Sequence, residues 1–214
     1  MKNPKRHILI TAAIAICLAA ASARAGDPTP AQPAPANPSG DKSVADLLGE
    51  LKKTSQASTD PELKSLGNDL SSKVASLSKS LGNNPEMQGQ LQGALKSLLG
   101  DKGSSALGGL QKLSAAKLTP DQSKLAKDVY HTGSAYLVQK NFGSLEGSQT
   151  EVAQLVNSLR KGNYTDTLAP LKKIGQNSKL TQPQKDFLSS LTDQYAPGLK
   201  KAGDALKNIP GLSK

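Results

Sequence analysis

From residue 42 onward, apolar positions recur at steps of three and four. Leu63, Leu66, Leu70, Val74, Leu77 and Leu81 are separated by 3, 4, 4, 3 and 4 residues. That spacing keeps them on one side of a helix with 3.6 residues per turn. Shorter stripes are formed by Leu91, Leu95 and Leu98, by Leu118, Leu125, Val129 and Tyr136, and by Val152, Leu155, Val156 and Leu159. No run alternates with period two, and β-branched and aromatic residues are sparse, so the pattern predicts helices and no strands.

Polar start signals sit just ahead of these stripes. Thr59-Asp-Pro-Glu62, Thr119-Pro-Asp-Gln122 and Thr181-Gln-Pro-Gln184 each fit a capping box, in which the threonine oxygen and the Glu or Gln side chain satisfy first-turn amides reciprocally. Each places proline in the first turn, where its missing N–H costs no hydrogen bond. Ser148-Gln-Thr-Glu151 reads as a fourth box, and Asn84-Pro85 opens a helix in a similar way. Gly82, Gly89, Gly93, Gly100, Gly103, Gly108 and Gly109 crowd the middle of the chain. Each glycine inside a helix costs about 0.5–1 kcal/mol relative to alanine, so residues 82–109 are expected to be the least stable part.

The three threonine boxes lie 60 and 62 residues apart. Residues 91–113 align without a gap on 152–174, matching Leu91 with Val152, Leu95 with Val156, Leu98 with Leu159, Leu107 with Leu168, Leu110 with Leu171 and Leu113 with Ile174. A truncated first copy runs from Leu48-Gly-Glu-Leu51 into the Thr59 box. The expected fold is therefore all-α: an irregular helical-repeat array of units at about 42–83, 84–147 and 148–214. Each unit would hold a helix, a turn, a second helix and a capped third helix, and units must stack to bury their stripes.

Within the last copy, Val156, Leu159, Gly162, Tyr164, Thr167, Leu171 and Ile174 follow an order that resembles the middle of a tetratricopeptide repeat. There a glycine turn and an aromatic two residues later lead into a small residue and then large apolar ones. The resemblance covers residues 156–174. It implies a helix–turn–helix interaction module without catalytic residues, whose concave face would be lined by Tyr164 and Leu168. The chain departs from the family in its period and in its third helix. Pro170 also falls inside the second helix, where it must cost a hydrogen bond or shift the start.

The first 41 residues follow a different pattern. Lys2, Lys5 and Arg6 precede an apolar stretch from Ile8 to Ala21, and Ala23-Arg-Ala25 forms a small-x-small cleavage signature. Residues 1–25 read as a secretory signal peptide, because the apolar run is shorter than the ~20 residues that span a bilayer. Residues 26–41, with five prolines among small and polar residues, read as an extended flexible linker. The expected location is periplasmic or extracellular, with no transmembrane segment after cleavage.

Cleavage changes the chemistry. It removes Cys17, His7, Lys2, Lys5, Arg6 and Arg24, lowering the formal net charge from +10 to +6. His131 becomes the only histidine and Arg160 the only arginine. Disulfides, thiolate chemistry and cysteine metal sites are excluded, and no phosphate loop or dinucleotide fingerprint is present. A single histidine on a helix lacks the partners a hydrolytic site needs. No cofactor or metal is implied, and no enzyme. Nearly all the positive charge is lysine, which argues against nucleic acid, whose readers rely on arginine forks and stacking aromatics.

The remaining candidates are binding residues: Tyr164 and Leu168, and a ridge of lysines at repeat-related positions, Lys52, Lys53, Lys112, Lys172 and Lys173, with Lys200-Lys201 beyond. The expectation is an exported, non-enzymatic repeat protein that binds another envelope protein or itself. The competing expectation is a peripheral binder of anionic lipid or polysaccharide through lysine-rich amphipathic helices. Export of the full chain from a cell with a signal peptidase should yield a product whose N-terminal sequencing starts at Gly26.

Overall fold

A computed structural model describes residues 42–100 and 102–199. The expected signal peptide, linker and Lys200-Lys201 pair lie outside these residues. Eight helices follow one another, with no strand among the described residues: α1 (Val44–Ala57), α2 (Pro61–Leu81), α3 (Pro85–Leu99), α4 (Gly103–Ser114), α5 (Pro120–Phe142), α6 (Gln149–Arg160), α7 (Leu168–Gly175) and α8 (Gln182–Leu199). The all-α class is as the periodicity predicts. No helix of the described residues is long and apolar enough to cross a membrane.

The stripes face inward. Leu66, Leu70, Val74 and Leu77 of α2 and Leu91, Leu95 and Leu98 of α3 are fully buried, as are Leu107, Leu110 and Leu113 of α4 and Leu155 and Leu159 of α6. Burial is organised around α5, which packs along α2, α4 and α6. The predicted α5 stripe is only part of the truth. Leu118 and Leu125 are half-buried, whereas every residue from Thr132 to Val138 is buried. Thr132, Gly133, Ser134 and Ala135 are too small or polar to register as an apolar stripe. Their small size is what lets flanking helices close on all sides. A Cβ on Gly133 would lie 2.5 Å from Cδ1 of Leu110 in α4.

Other close approaches also run through glycine. A Cβ on Gly67 of α2 would meet the Ser55 side chain of α1 at 1.9 Å, and one on Gly109 of α4 would meet Ala94 Cα of α3 at 3.2 Å. Gly89 and Gly93 of α3, by contrast, face open space.

The caps refine the start signals. Thr119 and Gln122 form a full box on α5, and Asn84 Oδ1 accepts from Met87 N on α3. At α2 the cap moves one residue on: Asp60, directly before Pro61, accepts from the amides of Glu62 and Leu63. Proline occupies the first helical position, so the residue before it becomes the cap. At α6 Ser148 holds the cap position without a cap bond, because its hydroxyl accepts from Asn177 Nδ2 at 2.8 Å. At α8 Gln184 Oε1 accepts from Thr181 N, at 3.0 Å. A reciprocal box that the stripes did not announce, Ser43 with Asp46, starts α1.

Pro170 resolves by a shifted start. A 3-10 turn at Thr165–Thr167 precedes α7, which begins at Leu168, so the proline falls in the first turn, where no intrahelical donor is needed.

Two glutamines tie helix starts to helix ends. Gln122 in the first turn of α5 donates from Nε2 to Ser80 O, the penultimate residue of α2, at 2.8 Å. Gln184 in the first turn of α8 donates from Nε2 to Asn141 O, the penultimate residue of α5, at 2.6 Å.

Glycine substitutions should therefore have opposite signs. Gly67→Ala should lose about 2 kcal/mol or more, because Ser55 and α1 must move. Gly89→Ala and Gly93→Ala should each gain about 0.5–1 kcal/mol from helix propensity. Urea midpoints at constant m-value measure both.

Candidate functional site

The five lysines of the expected ridge are all exposed. Lys52 and Lys53 lie on α1, Lys112 on α4, and Lys172 and Lys173 on α7. These three helices are not among the pairs that pack extensively on one another. Lys173 Nζ sits 3.4 Å from Glu151 Oε1 of α6. Tyr164 leads into the turn before α7, and Leu168 begins that helix. Both are half-buried and packed against the core.

Tyr164 belongs to an aromatic cluster with His131, Tyr130 and Tyr195. Its hydroxyl lies 2.6 Å from His131 Nε2, and its ring centre is 5.7 Å from the imidazole and 4.9 Å from Tyr195. Tyr130 lies 6.0 Å from Tyr195, and its hydroxyl donates to Gln194 Oε1 at 3.3 Å. Gly162 makes room for the imidazole. Its backbone has φ +64°, and a Cβ there would stand 2.7 Å from His131 Cε1. Three parts of the chain converge here: α5, the turn after α6, and α8.

Burial favours the neutral forms throughout. It pushes the His131 pKa below its ordinary value, opposed by Asp128 and reinforced by Lys73 and Lys127. Burial likewise raises the phenols of Tyr130, Tyr164 and Tyr195. None of these tyrosines is an oxyanion at neutral pH. The buried Tyr195 hydroxyl lies beside those of Ser134 and Tyr130 without a well-aligned bond to either. Among the described residues no group of three His, Cys, Asp or Glu side chains is placed to hold a metal.

A polar seam runs beside the cluster between α2, α5 and α6. Lys73 Nζ bridges Asp69 at 2.9 Å and the buried Thr132 hydroxyl at 2.7 Å. Arg160 reaches Glu62 at 3.4 Å and Asp69 at 3.9 Å. Gln139 Nε2 donates to Asp60 Oδ2 at 2.6 Å.

This seam opens into a cleft of about 340 Å³. Val152 and Val156 form its buried floor, with Ala153 beside them. Glu62, Gln139, Gly143, Gln149, Asn157 and Arg160 complete the lining. The volume lies near the lower end of ordinary small-ligand and peptide side-chain sites, about 300–1,000 Å³. The amides of Gln149 and Asn157 make no hydrogen bond with the described residues, so the rim offers donors and acceptors above an apolar floor.

Comparison with known protein families, with curated proteins and with solved structures returns no match for this chain.

The cleft was not among the sequence-predicted candidates. Arg160 was visible as the single arginine of residues 26–214, but only folding places it across from Glu62, 98 residues earlier. His131 sits as a half-buried helix residue, as its isolation suggested, with the added bond to Tyr164.

The two hydroxyls should respond differently to removal. Tyr164→Phe should lose about 1 kcal/mol with the His131 bond. Tyr195→Phe should cost less than about 0.5 kcal/mol, because the buried hydroxyl it deletes has Ser134 and Tyr130 beside it but no well-aligned bond. Parallel urea titrations distinguish the two.

Proposed function

We propose that this chain is an exported, non-enzymatic helical-repeat protein that holds a protein partner in the cell envelope, in the periplasm or outside the cell. The observation that carries this reading is the cleft between α2, α5 and α6. It presents open amides and a loosely held ion pair above a valine floor. An extended segment of a partner could place a small apolar side chain on Val152 and Val156 and its backbone against Gln149 and Asn157.

The repeat reading draws support from two helix ties in the same register. Gln122 and Gln184 each close a threonine box, three residues after its threonine, and each reaches the carbonyl of the penultimate residue of the helix one unit earlier. The helix–turn–helix of α6 and α7, with Gly162 in its turn, supports a tetratricopeptide-like hairpin. Tyr164 and Leu168 would serve it by fixing α7 to the body, and the lysines of α1, α4 and α7 would steer acidic partners toward the surface.

A second reading rests on those same exposed lysines: peripheral attachment to anionic lipid or polysaccharide. A photo-crosslinking residue at Ala153, which is exposed at the cleft, tests the first reading. A discrete, reproducible protein adduct in envelope extract is expected, and it should weaken at least severalfold in Ala153→Arg used with a crosslinker at Gln149. Absence of any adduct overturns the reading. Co-sedimentation with anionic vesicles at low salt, lost at moderate salt and abolished by Lys172→Glu with Lys173→Glu, would favour the second.

A further inference from the structure

We propose that the His131–Tyr164–Tyr195 cluster is an acid-sensitive latch: with the imidazole neutral it helps hold the lead-in to α7, and α8, against α5, and with the imidazole charged this hold on α8 loosens. The reasoning starts from attachment. The outer contacts of α8 are few: it packs on α4 and α7, with Phe187 stacked on Phe142 at 5.8 Å and Gln184 tied to Asn141 O. At the opposite end of its described contacts, Tyr195 is 3 % exposed and lies against Tyr164 and Tyr130. Tyr164 is in turn held by the only histidine of residues 26–214. His131 is thus one of several attachments of the C-terminal helices to the body, beside the direct contact of Tyr195 with Tyr130 and the packing of α7 on α6, and it is the one that carries a titratable imidazole.

The geometry admits the neutral ring better than the charged one. In the neutral pair, one nitrogen and one hydroxyl share a donor and an acceptor at 2.6 Å. Protonation adds a second ring donor, and Tyr164 is the only described residue within bonding distance of the imidazole. Gly162 leaves no gap on the near face, since a Cβ there would stand 2.7 Å from the ring.

The surrounding charges come from each packed element. From α2, Lys73 repels an imidazolium, and Asp69 is already paired with Lys73 and approached by Arg160. From α5 itself, Lys127 repels it and Asp128 attracts it. From the 3-10 lead-in and α8 come only phenols, Tyr164 and Tyr195, and from α4 the neighbouring contact is Leu110 on Gly133. The lone opposing carboxylate is Asp128.

The sign follows. A histidine whose folded pKa lies below the ordinary 6.5 contributes stability that is fully present above that value and is lost as pH falls through it toward the folded pKa. The loosened state takes up the proton first, so acid favours it. Opening would uncover the apolar side of α8, Phe187, Leu188, Leu191 and Tyr195, all buried in the closed form.

Hydrogen exchange of the purified chain at pH 7 and pH 5, corrected for intrinsic rates, tests the latch. Amides of residues 186–195 should lose about fivefold in protection on acidification while those of α2 and α3 hold theirs. His131→Gln should remove that difference. Asp128→Asn, at a half-exposed position, should enlarge it, because it removes the carboxylate that favours the charged ring. The proposal is overturned if protection falls equally across all helices. It is also overturned if the acid-dependent loss in α8 persists unchanged in His131→Gln, or if Asp128→Asn leaves it the same.

Discussion

The close fit around residues 132–135 is the constraint on which the rest of the bundle depends. Thr132, Gly133, Ser134 and Ala135 let α2, α4 and α6 approach α5 together. Without a side chain at Gly133, Leu110 occupies the space a Cβ would take. Large aliphatic residues on the surrounding helices can then be buried against a slender centre, which matches the small aromatic content of the chain. The same tight packing sets up the polar seam, since Lys73 can reach the buried Thr132 hydroxyl only where α2 lies against α5.

Much of the fold was legible in the spacing of leucines. α2, α3 and α6 follow their stripes closely, and the Thr119 box and the Asn84 cap form as their residues suggested. The misses share a cause. The burial of α5 was hidden because small and hydroxylated residues carry no apolar signal. The cap of α2 moved to Asp60 because proline fixes which residue can be first in the helix. Ser148 failed to cap because a residue 29 positions away competes for its hydroxyl. Periodicity reports what one helix does alone. It does not report which long-range partner takes a side chain.

The candidate site was less legible still. The lysines were recognisable as exposed from composition and position, and they are exposed. Tyr164 stood out for its place after a glycine turn, yet its hydroxyl is spent on His131. The cleft needs Glu62, Gln139 and Arg160 brought together from three helices, and no local motif spans those distances. Its polarity is balanced by design of the seam: cations and carboxylates alternate from Lys73 through Asp69 and Arg160 to Glu62, so no charge is left facing the valine floor alone.

The glutamine ties carry a directional meaning. A carboxamide can donate to a main-chain carbonyl, and Gln122 and Gln184 both do so across successive long helices. The corresponding residue after Thr59 is Glu62. An ionised carboxylate has no proton to give, so it cannot clasp a carbonyl above it, and it turns to Arg160 instead. One oxygen in place of one NH₂ thus turns the residue three places after Thr59 toward a guanidinium on α6 instead of toward a main-chain carbonyl.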